Sequence, residues 1–255
     1  MILEVDGVEF SYKSIKALRK VKFSVKSSEI VSILGPNGGG KSTLLKCIAK
    51  ILIPKRGAVC IDKKNILDLK TDEIAKIIGF VPQSSTGNYL TVFDAILLGR
   101  KPHIGWDVTD RDIQIASNIL KLLDLENLAL RFTNELSGGE LQKVTIGRAL
   151  AQEPRILLLD EPTNNLDPKN QIEIMELINS ITKEKDMITI VVMHDLNLAL
   201  MFSDKFILLK NGEIFAVGNH EIITKEIIHE VYDINVEIIH YKGLPIIIPQ
   251  TNGIK

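Results

Sequence analysis

Gly35-Pro36-Asn37-Gly38-Gly39-Gly40-Lys41-Ser42-Thr43 fits the pattern G-x-x-x-x-G-K-[ST]. It stands between an apolar run, Ile30-Val31-Ser32-Ile33-Leu34, and a run of helical character from Ser42 to Leu52. Strand, glycine-rich loop and helix in that order give the pattern its physical meaning. Glycines let backbone N–H groups turn inward without a Cβ clash, and a helix N-terminus adds positive potential, so such a loop wraps a polyphosphate. Lys41 is then placed to reach the β- and γ-phosphates, and the Ser42 hydroxyl to ligate Mg²⁺. These residues imply a nucleoside triphosphate site.

The chain around this loop has 255 residues, enough for one large domain or a domain with an inserted lobe. It is 45% hydrophobic and 25% charged with a formal net charge of −1, which lacks the basic excess that marks nucleic-acid binders. The apolar runs Ile30 to Leu34, Ile156 to Leu159 and Met187 to Met193 fall well short of the roughly 20 residues a membrane span needs, and read as buried parallel strands. The opening Met1-Ile2-Leu3-Glu4-Val5-Asp6 has no basic segment followed by an apolar one, so no secretory signal is expected. Cys47 and Cys60 have neither metal spacing nor a disulfide framework and read as reduced packing residues. A cytoplasmic location is expected.

Outward from the loop, Leu3, Val5, Val8 and Phe10, then Leu18, Val21, Phe23 and Val25, alternate with polar residues as antiparallel strands with one wet face do. Pro54 and Gly57 mark a turn before a further strand from Ala58 to Ile61. Between about Ser84 and Leu136 apolar residues recur at helical spacing, as in Ile113, Ala116, Ile119, Leu120 and Leu123, which predicts a mostly helical insertion. Helices are predicted after Ser137, from Pro168 to Lys183 and from Leu196 to Phe202, and strands at Ile156 to Leu159 and Ile188 to Met193. The runs Lys205 to Leu209 and Ile214 to Val217 flank Asn211-Gly212 as a hairpin. Alternating strands and helices predict an α/β fold with a parallel sheet covered on both faces.

Two further features carry chemistry. Asp160-Glu161 ends the buried run Ile156 to Leu159, and the C-terminal end of an interior strand is where an α/β sheet presents ligands. Asp160 suits the Mg²⁺, and Glu161 suits orienting or deprotonating an attacking water. Leu136-Ser137-Gly138-Gly139-Glu140 starts a helix, with Ser137 a good N-cap and the glycines exposing N–H groups at the positive end of the dipole. That makes a second anion site in a chain with one phosphate loop.

In this order the three motifs resemble those of the ATP-binding cassette ATPases, over essentially the whole chain from Leu3 to about Gly218. The resemblance implies a P-loop NTPase (RecA-like) parallel-sheet core with an N-terminal antiparallel β subdomain and an inserted α-helical subdomain. It implies one domain over 1–255: a nucleotide-binding core at 1–83 and 154–218, a helical signature subdomain at 84–153 and a C-terminal extension at 219–255. Tyr12 resembles the aromatic that stacks on adenine, Gln83 the glutamine that senses Mg²⁺ and γ-phosphate, Asn165-Leu166-Asp167 the loop that crosses a dimer interface, and His194 the histidine that contacts the γ-phosphate. His103, His220, His229 and His240 match no motif. Gly39 stands where the family usually has Ser or Ala, and Glu140 where it usually has Gln. Neither change removes a required group.

What the resemblance implies about mechanism is a pair of copies joined head to tail. Each ATP then lies between one phosphate loop and the other copy's Ser137-Gly138-Gly139, and hydrolysis releases the pair. Leu90 to Ile104, His194 to Ala199, Glu230-Val231-Tyr232 and Leu244 to Pro249 look like the ATPases of iron-siderophore, haem and cobalamin importers. That implies polytopic permease subunits as partners, a substrate-binding protein in the full system and a peripheral place on the inner face of the cell membrane. Arg100 and Trp106 are candidate surface contacts to the permease, with ordinary lobe packing or solvation as the alternative. The alternative is a soluble ATPase of an assembly system, such as one for iron–sulfur clusters.

Overall fold

The computed structural model describes residues 1–84 and 86–250. Ser85 and, in the expected 219–255 extension, Thr251 to Lys255 lie outside the described residues. Residues 1–68 together with the segment from 188 onward form one compact unit, and 69–187 form another.

In the first unit the alternating N-terminal pattern folds as β1 (Ile2–Tyr12) and β2 (Ile15–Lys26), antiparallel with Val5 opposite Phe23. Leu3, Val5, Val8, Leu18, Val21 and Val25 are buried, so the period-two pattern had identified the covered face. Then come β3 (Ile30–Leu34), α1 (Lys41–Ile48), β4 (Arg56–Ile61) and the two-residue β5 (Lys64–Asn65). The order β2-β1-β4-β5 completes an antiparallel sheet. Helix α1 ends earlier than the sequence suggests. Ala49 is its C-cap, Lys50 takes a left-handed φ of 54°, and the N–H groups of Ile51 and Leu52 fold back onto the Lys46 carbonyl.

The second unit holds α2 (Thr71–Ile77), β6 (Ile78–Val81), α3 (Val92–Leu97), α4 (Asp110–Leu122), α5 (Gly138–Leu150), β7 (Ile156–Asp160) and α6 (Pro168–Glu184). Strands β6 and β7 pair in parallel, Ile78 to Ile156 through Val81 to Leu159. The region after residue 84 is helical only in part: α3 and α4 are joined by short 3₁₀ segments and turns. On α4 the predicted stripe buries Ala116, Ile119 and Leu120, while Ile113 at its start is exposed.

The chain then returns to the first unit with β8 (Ile188–Val192), α7 (Leu196–Phe202), β9 (Lys205–Lys210), β10 (Glu213–Gly218), α8 (Lys225–Tyr232) and the hairpin β11 (Val236–Tyr241) and β12 (Leu244–Pro249). Strand β3 is flanked in parallel by β8 and β9, and β10 pairs antiparallel with β9 across the Asn211-Gly212 turn. All five residues of both β3 and β8 are buried, as strands covered on both faces must be. At about 1.5–3 kcal/mol per buried aliphatic side chain, this central pair anchors the loop that leaves β3. Cys47 is buried and its thiol is pushed up to about 12 by desolvation, which keeps it a neutral packing group as expected.

Candidate nucleotide site

The phosphate loop leaves β3 at Leu34 and enters α1 at Lys41. Gly35 and Gly40 are glycines by necessity. Their φ angles are 142° and 99°, and an added Cβ would lie 2.0 Å from the Leu209 carbonyl oxygen at the first and 2.5 Å from that of Ala17 at the second. At Gly39 a Cβ would sit 3.0 Å from the Pro36 carbonyl oxygen and 3.1 Å from that of Leu209, so the glycine relieves a tight fit. The Gly39 N–H donates to the Pro36 carbonyl at 3.1 Å, and Gly212 N–H to the Gly39 carbonyl at 3.1 Å, which ties the loop to the β9–β10 turn. Lys41 is buried at 5% exposure, and its Nζ donates to the carbonyls of Gly35 at 2.8 Å and Pro36 at 3.0 Å. Asn37 and Gly38 are exposed at the loop's tip, and Ser42 and Thr43 open α1.

Tyr12, at the end of β1, is 46% exposed. Its ring meets Phe10 edge-on at 4.9 Å, and its Oη accepts from Thr43 Oγ1 at 3.5 Å, which puts an open aromatic face beside the loop. His194 follows β8 and is exposed, just before Asp195, whose side chain caps α7 by accepting from Leu198 N–H at 2.9 Å. Tyr12, Gly35 to Thr43 and His194 therefore all belong to the first unit.

The second unit carries the acids and the serine–glycine turn. Asp160 ends β7 at 2% exposure, and Glu161 follows in a left-handed conformation with φ of 54° at 9% exposure. Two amides hold the Glu161 carboxylate: Gln83 Nε2 donates to Oε2 at 2.6 Å, and Asn164 Nδ2 to the same oxygen at 3.1 Å. The Asn164 contact was not legible beforehand. Its signal is the spacing of three residues across a tight turn, where Asn164 N–H also donates to the Glu161 carbonyl at 3.2 Å.

Ser137 caps α5, and Glu140 completes a reciprocal capping box. Ser137 N–H and Oγ–H both donate to Glu140 Oε2 at 2.8 Å, and Glu140 N–H returns a bond to Ser137 Oγ at 3.4 Å. The backbone bond first and the hydroxyl bond second hold the Glu140 carboxyl below the usual range. The departure from glutamine therefore has a local role. Asp167 caps α6 by accepting from Asn170 N–H at 2.9 Å and Nδ2 at 2.6 Å, and these bonds lower its pKa. Gln171 Nε2 donates to the Leu166 carbonyl at 3.1 Å and bounds the Asn165–Asp167 loop. That loop and the serine–glycine turn meet within this unit: a Cβ on Gly138 would lie 3.6 Å from Leu166 Cδ2, and one on Gly139 would lie 2.7 Å from Asn170 Oδ1.

One expectation fails. Arg100 is 2% exposed, and its guanidinium donates to Asp112 Oδ1 at 2.9 Å, the Ala151 carbonyl at 2.7 Å and Glu153 Oε2 at 2.8 Å. An isolated arginine in a sequence looks the same whether it faces water or two acids that fold back on it. Trp106 is fully exposed and lies near the exposed Tyr89, Leu98 and Val108 in sequence. Leu90, Leu97, Leu98, Ile104 and Val108 help to line an open, mostly apolar groove of about 440 Å³ in this segment.

Residues 18–164 match the family model described as ABC transporter. Over 249 residues, 98% of each chain, the sequence is 62% identical to an ABC transporter ATP-binding protein of Methanocaldococcus jannaschii. It is 34% identical over 253 residues to the petrobactin import ATP-binding protein of Bacillus anthracis, covering 98% of this chain and 93% of the relative. The fold also matches a solved ABC transporter described as of metal-chelate type, in an inward-facing conformation, with a TM-score of 0.85 at 30% identity over 98% and 97% of the two chains.

Proposed function

The chain belongs to the ABC transporter family and is its ATP-hydrolysing subunit, and from that premise we propose that it drives import of a metal chelate through a separate membrane permease. The near full-length likeness to a petrobactin import subunit carries the substrate class. No helix among the described residues is long and apolar enough to cross a membrane, and in this reading a separate permease provides the path for the substrate. The permease docks on the exposed apolar surface around Tyr89, Leu98, Trp106 and Val108 and its groove, and through it the ATPase sits at the inner membrane face. Residues 84–153 act as the helical signature lobe and 219–255 as an extension of the core.

In this reading the amides of Gly38 to Thr43 cradle the β-phosphate and Lys41 neutralises the β- and γ-phosphates. Tyr12 offers its ring to adenine, and His194 meets the γ-phosphate. Glu161, held by Gln83 and Asn164, orients and deprotonates the attacking water. The candidate metal donors, the Ser42 hydroxyl, the Gln83 amide and the buried Asp160 carboxylate, are all hard oxygens. Few protein carboxylates with phosphate oxygens making up the set is what Mg²⁺ prefers. When bound, the ion neutralises charge on the phosphates. Ser137 and the Gly138 and Gly139 amides serve the nucleotide of a second copy, so two chains close head to tail on ATP.

The test is affinity purification from native membranes in mild detergent, with partners identified by mass spectrometry. A polytopic permease, together with a chelate-binding protein, is the expected recovery. Soluble scaffold proteins alone would overturn the transport reading in favour of an assembly ATPase.

A further inference from the structure

Strand β3 stops at Leu34, so the next N–H, that of Gly35, leaves the sheet ladder. A backbone donor in so confined a place must find another acceptor. It donates to Tyr232 Oη at 2.7 Å, across almost two hundred residues of sequence. Gly35 has no room to turn elsewhere, since its Cα faces the Leu209 carbonyl so closely that a Cβ would lie 2.0 Å from that oxygen. Its own carbonyl accepts from Lys41 Nζ at 2.8 Å. Both polar groups of this glycine are thus engaged, one by the phosphate-loop lysine and the other by the C-terminal segment.

The tyrosine is itself held. It is the last residue of α8, whose Ile228 and Val231 are buried, and Asp233 closes the helix in a left-handed conformation with φ of 59°. The Lys210 ammonium at the end of β9 bonds the Glu230 carbonyl, fixing the same turn from the other side. Desolvation pushes the phenol up to about 12, against the opposing effect of the Gly35 bond, so the acceptor stays uncharged at neutral pH. An uncharged acceptor suits this place: a carboxylate could take the same N–H but would repel a phosphate.

We propose that Tyr232 is a positioning residue of the nucleotide site, its hydroxyl fixing the Gly35 amide so that the phosphate loop is set for nucleotide before any arrives. This rests on the phosphate-loop reading above. It gives the segment after Gly218 a part in nucleotide affinity as well as in packing. A hydrogen bond of ordinary net size shifts an equilibrium by roughly three- to tenfold.

The experiment compares the full-length protein with Tyr232→Phe, which keeps the ring and removes one oxygen. Expected are a KM for ATP raised roughly three- to tenfold with kcat changed less than about twofold, the pattern of lost loop preorganisation. The Gly35 amide resonance, read by ¹⁵N NMR without nucleotide, moves and exchanges faster with solvent. A purely structural role would lower Tm and shift the Gly35 resonance but leave KM for ATP where it was, and that result overturns the proposal. If Tyr232→Phe does not fold, a ring-fluorinated tyrosine at 232 keeps the shape and weakens the oxygen as an acceptor. It should raise KM by a smaller factor and move the same resonance, and an unchanged KM again overturns the proposal. Lys41→Ala, run in parallel, separates the two readings. Loss of ATP binding there with normal behaviour of Tyr232→Phe sinks the positioning role alone, and retained binding in Lys41→Ala sinks the phosphate-loop reading.

Discussion

Two amide groups converge on one oxygen of Glu161, and that fixes what the carboxylate can do. Gln83 and Asn164 both donate to Oε2, which holds the carboxylate in one orientation. Glu161→Gln removes the proposed base while keeping the shape, and turnover should fall at least ~100-fold with ATP binding retained. Asn164→Ala leaves the base but frees its rotamer, and a phosphate-release assay should show kcat down by roughly tenfold at near-constant KM. At this scale the motif residues were legible because their chemistry demands particular types at fixed spacings: Lys41 after glycines, Asp160 at a strand end, Ser137 before a helix. Tyr232 and Arg100 were not, for a common reason. Each is defined by a partner distant in sequence, Gly35 for one and Glu153 for the other, and no local pattern announces such a meeting.

The elements follow their residues unevenly. The buried strands β3, β7 and β8 were read within a residue or so because an unbroken apolar run between turn signals has few other uses. Helix α2 was missed. Its seven residues Thr71–Ile77 bury only Ile74, and so short a stripe makes no period. The hairpin β11–β12 lacks a clean alternation, since Ile239 and Ile248 are exposed beside buried Val236 and Ile247. In the helical region the Arg100 cluster ties the end of α3 to α4 and α5. The Thr109 hydroxyl first, and then the Arg100 guanidinium, hold the Asp112 carboxyl down at about 2. Because the folded value lies below the unfolded one of about 3.9, this group stabilises fully above that pH and loses its contribution as pH falls toward 2. Acid titration followed by circular dichroism should show unfolding that begins below about pH 4. In Asp112→Asn that acid-dependent component should be absent, and stability at neutral pH should be lower, because the charge-assisted bond to Arg100 is weakened.

For the whole molecule, one phosphate loop and one serine–glycine turn per chain are a stoichiometric argument. In the proposed head-to-tail scheme each copy brings half of two sites, so the smallest complete catalyst is a symmetric pair. Glu161→Gln, unable to hydrolyse, should elute as a dimer with saturating ATP and as a monomer with ADP, measured by size-exclusion chromatography with light scattering. Elution as a monomer in both nucleotides would defeat the head-to-tail scheme. Fold class was legible at this scale because the order of strand, loop and helix admits few architectures. Substrate was not, and the proposed chelate class rests on kinship alone.

The stowed position of Lys41 has a thermodynamic corollary. Its ammonium already holds two carbonyl acceptors, so at the proposed site nucleotide capture is a ligand exchange in which solvated phosphate displaces peptide oxygen. Only the difference between those two sets of bonds appears as affinity, and the measured enthalpy should be small beside the number of contacts formed. A terminal phosphate that can take the ammonium completes the exchange, whereas a diphosphate completes less of it. On the proposed reading the loop thereby distinguishes fuel from spent fuel by what its own lysine must give up.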